Sequence, residues 1–168
     1  MAIQRLNHAV LYVRDAERSA EFYEGVLGFR KVHAFPGAVF LQAAASTNDH
    51  DLGLFSIGEG AGPTMAGKST VGLYHLAWEV DTLDELQRMA GVLRDAGALV
   101  GASDHGTTKA LYAQDPDGIE FEVSWLVPAD RIDADERVTT APLDIDAEIK
   151  RYGGSTLGGV GVSFPAPA

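Results

Sequence analysis

A β-rich run with a histidine in it occurs twice in this chain, and that repetition limits the fold more than any other feature, because a repeat must be recognised before its elements can be assigned. The first copy is Leu6-Asn7-His8-Ala9-Val10-Leu11-Tyr12-Val13, ending at Arg14-Asp15. The second is Leu73-Tyr74-His75-Leu76-Ala77-Trp78-Glu79-Val80, ending at Asp81-Thr82. In each, the histidine stands five positions before a valine, and an acidic N-cap candidate and a helical pattern follow.

After Asp15, Phe22 with Val26 and Tyr23 with Leu27 share a helical face at i, i+4, and Gly28 offers a left-handed stop. After Asp81, Leu83, Leu86, Ala90 and Leu93 recur at helical spacing until Gly97. Three short strand-like segments follow each helix: Phe29 to Ala34, Ala38 to Ala43 and Leu52 to Ile57, then Ala98 to Ala102, Lys109 to Ala113 and Ile119 to Trp125. Each copy thus reads βαβββ. The expected fold is α+β, with modules 3–57 and 72–125 forming a cupped mixed sheet whose helices lie on the convex side. Residues 58–71, with Gly60, Gly62, Pro63 and Gly67, form the linker inside a single domain 1–127. Residues 128–168 read as a C-terminal extension, with a short helix within Pro142–Ile149 and a loose tail from Gly153 to Ala168.

Composition narrows the function. Thirteen basic against 24 acidic residues give a formal charge of −11, which repels phosphate backbones, so nucleic acid is not an expected partner. No apolar run approaches the roughly 20 residues a spanning helix needs, and Met1-Ala2-Ile3-Gln4-Arg5 lacks a secretory pattern, so a cytoplasmic protein without membrane partners is expected. The absence of cysteine leaves only nitrogen and oxygen ligands for any metal.

Alternation along a strand puts Ile119, Phe121, Val123 and Trp125 on one apolar face, leaving Glu120, Glu122 and Ser124 on the other. If the helices cover the convex back, these polar positions line the front together with His8 and His75. Two mid-strand imidazoles and a carboxylate make a facial metal site with open positions. Either histidine alone reads as a packed or hydrogen-bonded residue; the repetition is what favours ligation. Strand parity does not choose between Glu120 and Glu122.

The paired starts, together with Asp115-Pro116-Asp117-Gly118-Ile119-Glu120-Phe121-Glu122, resemble the glyoxalase/bleomycin-resistance/extradiol-dioxygenase superfamily, also called vicinal-oxygen-chelate proteins, over residues 3–125. In that family the metal-binding glutamate follows the glycine of this turn by four positions, so the resemblance selects Glu122 and implies a divalent metal on His8, His75 and Glu122. Glyoxalase-like members add a carboxylate from the last strand of the first module. Here the matching position is Gly53, and only a shifted register offers Asp51 or His50. A three-ligand site is similar to that of the extradiol dioxygenases.

Tyr112 precedes Asp115 by three and Glu122 by ten positions, as the family's active-site tyrosine does. His105 in Asp104-His105-Gly106, and more weakly His50 in Asn48-Asp49-His50-Asp51-Leu52, match its proton-transferring histidines. His105 as a turn cap, His50 as a solvated loop residue and Tyr112 as rim packing are the bland alternatives; His33 has no expected chemical role. The resemblance therefore implies an Fe(II)-dependent extradiol-type dioxygenase acting on a catechol-like aromatic and O₂. A non-oxidative Zn, Ni or Mn enzyme of glyoxalase, epimerase or thiol-transferase type is the alternative, and a drug-sequestering binding protein a third. The metal cup can close within one chain or across a homodimer.

Overall fold

In a computed structural model of the chain, residues 2–3, 5–66, 69–133, 139–159 and 162–163 are described. Gly67 of the linker, Asp135 and Glu136 of the extension, and Pro165 to Ala168 of the expected tail lie outside them. The chain divides into two compact units, Met1–Met65 with Asp115–Ile119, and Ala66–Gln114 with Glu120–Ala168.

The first unit contains β1 (Ala9–Val13), α1 (Ala16–Leu27), β2 (Arg30–Phe35), β3 (Ala38–Gln42) and β4 (Leu52–Ser56). Its sheet order is β1-β4-β3-β2, with β1 parallel to β4 and the other pairs antiparallel. The second contains β5 (Leu76–Glu79), α2 (Leu83–Asp95), β6 (Leu99–Asp104), β7 (Thr108–Gln114) and β8 (Glu120–Leu126). Here β5 is parallel to β8, and the order β5-β8-β7-β6 repeats the first pattern. Both copies are therefore βαβββ, and the fold is α+β with two mixed sheets.

Helix α1 starts where Asp15 Oδ1 accepts from the N–H groups of Glu17 and Arg18, and ends at Gly28, whose φ of 72° only glycine adopts without strain. The second helix departs from the expected acidic cap. Thr82 Oγ1 accepts from Glu85 N, while the Asp81 carbonyl accepts from Gly158 N. The Asp81 backbone thereby anchors the C-terminal segment.

Alternation decides what each helix covers. In the first unit Leu11, Val13, Val39, Leu41, Leu52 and Leu54 are buried, with α1 packed on β3 and β4 through Ala16, Ala20 and Tyr23. In the second, Leu111, Phe121, Val123 and Trp125 meet the Leu83, Leu86, Ala90 and Leu93 stripe of α2. Each fully buried Leu or Val side chain contributes about 1.5–3 kcal/mol by leaving water.

The turn Asp115–Ile119 belongs to the first unit. Asp115 Oδ1 accepts from the N–H groups of Asp117 and Ile119, and Gly118 supplies the positive φ. Asp117 then accepts from Arg14 N, Arg14 Nη1 and Arg18 Nη2 at 2.7–2.8 Å, tying the turn to the start of α1. The Tyr23 hydroxyl donates to Asp115 Oδ2. Burial, helped by the Asp115 charge, holds this phenol well above its ordinary range.

The C-terminal segment differs from the expected loose tail. Within the second unit, β9 (Ala141–Pro142) adds to the edge of β6, and α3 (Ile145–Tyr152) packs on α2. Trp125 Nε1 donates to the Thr156 carbonyl, the Asp84 N–H donates to Gly154 O, and Ala129 N donates to Val162 O. A Cβ on Gly158 would collide with the Leu126 carbonyl and the Trp125 indole. The missing periodicity misled because this segment docks through its backbone and glycines, which leave no apolar pattern.

Candidate metal centre

Each repeated histidine sits at the residue just before its strand, His8 before β1 and His75 before β5, rather than at mid-strand. The shift matters little to direction, because two positions on, Val10 pairs with Gly53 and Ala77 with Glu122. The parallel pairing of β5 with β8 therefore delivers His75 to Glu122, with Nε2 3.2 Å from Oε2. Both side chains are largely buried, at 24% and 12% exposure. Among the described residues the buried His75 Nδ1 has no hydrogen-bond partner, and Glu122 is the polar group that holds the ring.

Glu122 is also in register with Tyr112 on β7. The Tyr112 ring lies edge-on to His75 at 5.8 Å, and its hydroxyl oxygen is 2.9 Å from His105 Nε2. Burial first, then the Glu122 charge, pushes this phenol above its ordinary range. His105 Nδ1 in turn lies 2.9 Å from the Thr139 carbonyl. Four of the expected residues, His75, Glu122, Tyr112 and His105, thus form one connected group in the second unit. Glu120 has the same parity, but it takes a hydrogen bond from the Tyr74 hydroxyl, whose pKa rises as a result.

In the first unit, His8 Nδ1 is 2.8 Å from Asn7 Oδ1 and its ring lies 4.5 Å from that of His50. The Asn7 oxygen only accepts, so Nδ1 donates to it, and in the neutral ring Nε2 is the nitrogen with the lone pair. His50 is flanked by Asp49 Oδ2 at 3.2 Å and by the edge-on Phe40 ring at 5.1 Å. Asp51 is occupied otherwise: its carboxylate accepts from Ala43 N, Ser46 Oγ and Asn48 Nδ2 and organises the loop. His33 stands among Phe35 and Phe40 at 5.9 and 6.1 Å.

The donor set suits a divalent cation. Two cis ligands with bonds of about 2.0–2.2 Å stand about 3 Å apart on a metal, close to the His75–Glu122 separation. Neutral imidazole and carboxylate are the donors expected of a chain without cysteine. Among the described residues, no group of three or more His, Asp or Glu side chains gathers to hold a metal within either unit. The second unit offers the pair, and the first offers His8 with a free Nε2.

Residues 5–123 match the family described as Glyoxalase/Bleomycin resistance protein/Dioxygenase superfamily. The chain belongs to this superfamily. Among curated relatives, a catechol-2,3-dioxygenase of Bacillus subtilis is 29% identical over 153 residues, covering 88% of this chain and 52% of that enzyme. Biphenyl-2,3-diol 1,2-dioxygenase 3 of Rhodococcus globerulus is 34% identical over 120 residues, covering 71% of this chain and 62% of that enzyme. A lactoylglutathione lyase of Neisseria meningitidis is 28% identical over 137 residues, covering 70% of this chain and 88% of that enzyme. The chain thus spans about half to three-fifths of the two dioxygenases, and membership alone leaves the reaction open. No helix among the described residues is long and apolar enough to cross a membrane.

Two features escaped sequence reasoning. Lys109 is fully buried on the helix-facing side of β7, 2.5 Å from Asp104 and 3.0 Å from Glu148 of α3. Its parity with Leu111 and Ala113 was the available signal, a lysine at an apolar position. Phe40, in register with Gly53, occupies in the first sheet the place that Tyr112 takes in the second. Only the pairing register reveals that equivalence.

Proposed function

We propose that this protein is a metal-dependent extradiol-type dioxygenase that opens a catechol-like aromatic ring with O₂. His75 and Glu122 hold the metal, with His8 as third ligand, from the same chain or from the partner copy in a homodimer. The observation that carries this reading is the hydrogen-bonded Tyr112–His105 pair beside His75 and Glu122, together with Gly53 at the register position that corresponds to Glu122, where a fourth ligand, a second carboxylate, would stand. Fe(II) bound there would lower the pKa of the catechol hydroxyls and supply the redox chemistry that O₂ requires.

The chain's own groups do the rest. Tyr112 hydrogen-bonds the bound substrate, and His105 Nε2 takes or returns the proton that passes through the phenol. His50, beside His8 and next to Asp49, is a second group able to move a proton. The Phe40 ring, edge-on to His50, offers a planar substrate an aromatic contact.

A second reading rests on the lyase relative, which is matched over 88% of its length: the metal is Zn, Ni or Mn and acts only as a Lewis acid. One experiment separates them. Protein purified anaerobically and loaded with Fe(II) is screened for oxygen uptake against a catechol panel, beside the Zn form. Uptake with a yellow ring-opened product in the Fe(II) form alone is the expected result. No uptake with any catechol, and isomerisation of a hydroxy-carbonyl substrate by the Zn or Ni form, would establish the second reading instead.

A further inference from the structure

His105 is held at both nitrogens. Nδ1 lies 2.9 Å from Thr139 O, with Thr140 Oγ1 at 3.4 Å, and Nε2 lies 2.9 Å from the Tyr112 hydroxyl. A backbone carbonyl only accepts, so the ring must donate to it from Nδ1. In the neutral ring Nε2 is then the lone-pair nitrogen, and it faces the phenol.

Thr139 is presented by the C-terminal extension. The strand that follows it, β9, pairs Ser103 with Pro142 and Asp104 with Ala141 on the edge of β6, one residue before His105. The Thr139 N–H also points back to the His105 carbonyl at 3.5 Å. A second clamp acts from the opposite side of the sheet. Buried Lys109 donates to Asp104 Oδ1, which also accepts from Gly106 N, and pairs with Glu148 of α3. The turn carrying His105 is thus fastened to the extension through a carbonyl, a two-residue strand and a buried ion pair.

We infer that the C-terminal extension is a positioning element of the reaction centre: Thr139 holds His105 as the Nδ1–H tautomer, so that Nε2 is the basic nitrogen presented to Tyr112. Its catalytic consequence rests on the dioxygenase reading; the tautomer itself does not. Thr139 acts through His105 and need not touch substrate.

Nitrogen-15 NMR of histidine-labelled protein tests it directly, in the metal-free and Zn-loaded forms, with the His105 signals assigned by loss in His105→Ala. The expected result is an Nδ1–H, Nε2-lone-pair pattern that persists in Tyr112→Phe, because Thr139 rather than the phenol sets it. Replacing residues 139–143 by a glycine-serine stretch of equal length, with α3 left in place, should abolish the preference. In the Fe(II) protein the same replacement should lower kcat on the order of 10- to 100-fold with KM and metal content nearly unchanged, since it misplaces a proton-transfer group without removing a ligand. An Nε2–H pattern in the unaltered protein, which needs no variant to fold, overturns the inference. So does an unchanged tautomer or unchanged kcat in a folded replacement. Absence of oxygen uptake by the unaltered Fe(II) protein would overturn the dioxygenase reading alone, and the NMR result would still decide the tautomer.

Discussion

The two modules share a topology down to their irregularities, yet the faces of their sheets away from the helices carry different groups. In each, a histidine precedes the first strand, that strand runs parallel to the fourth, and the second strand bulges against the third, at Lys31/His33 in one and Leu99/Gly101 in the other. Superimposing registers aligns Val10, Gly53 and Phe40 with Ala77, Glu122 and Tyr112. The first module's open face is therefore apolar and aromatic, with His8 and His50 stacked upon it. The second keeps a carboxylate and a phenol at the same places and adds His105. A repeated scaffold allows this division because alternate strand positions are free of the core beneath the helix.

The largest effect should come from the carboxylate that breaks the symmetry and from the histidine paired with it. His75→Ala or Glu122→Ala should reduce metal content to a small fraction of the parent, while Glu120→Ala retains most of it. Full occupancy in both of the first two variants, measured by elemental analysis, would remove the proposed centre. Gly53→Glu makes the first module resemble the second; metal should be kept, but the substrate should bind more weakly because a carboxylate competes for an open position.

Next in size is Tyr112→Phe, which should lower oxygen uptake by about 10²- to 10⁴-fold at unchanged metal content, as for a group engaged in proton transfer. The matching change in the first module, Phe40→Leu, should act mainly on KM. Equal effects on kcat from both would mean that the modules are not specialised as described.

Among the described residues, the fully buried lysine of the second unit and its ion pairs have no counterpart in the first. Glu148→Ala leaves the buried Lys109 with Asp104 alone and should cost about 1.5–3 kcal/mol of stability in urea unfolding. Gly158→Ala, which forces a Cβ against the Leu126 carbonyl and the Trp125 indole, should cost about 1–3 kcal/mol. Truncation after Gly153, harmless to a loose tail, should likewise destabilise the protein, and an unchanged melting temperature would show that residues beyond it contribute nothing.

The smallest effect concerns Tyr23 of the first unit. Its phenol is raised in the folded state, so the stability it contributes is complete below the unfolded value of about 10 and is lost as pH rises toward the folded value. The slope should be at most about 1.4 kcal/mol per pH unit, and Tyr23→Phe should flatten it. Urea midpoints on either side of pH about 10 measure this. An unchanged slope in the variant would assign the alkaline loss to other groups.

The amino-acid order by itself determined the βαβββ repeat, the helix-facing stripes and the open-face parity of Glu122. Each follows from short-range periodicity, and the stop at Gly28 from backbone sterics. The pairing of β5 with β8 that brings Glu122 to His75, the equivalence of Phe40 and Tyr112, and the engagement of Glu120 by Tyr74 are matters of register between distant strands, which no local pattern encodes. The same is true of the C-terminal segment. Its glycines, single Thr139 carbonyl and short strand form no periodic pattern, and they acquire meaning only where Trp125, Asp81 and His105 stand ready to receive them. Lys109 lies between the two cases. Its parity was legible, but a buried ammonium is tolerable only with carboxylates beside it, and those come from β6 and α3, which tertiary packing alone brings together.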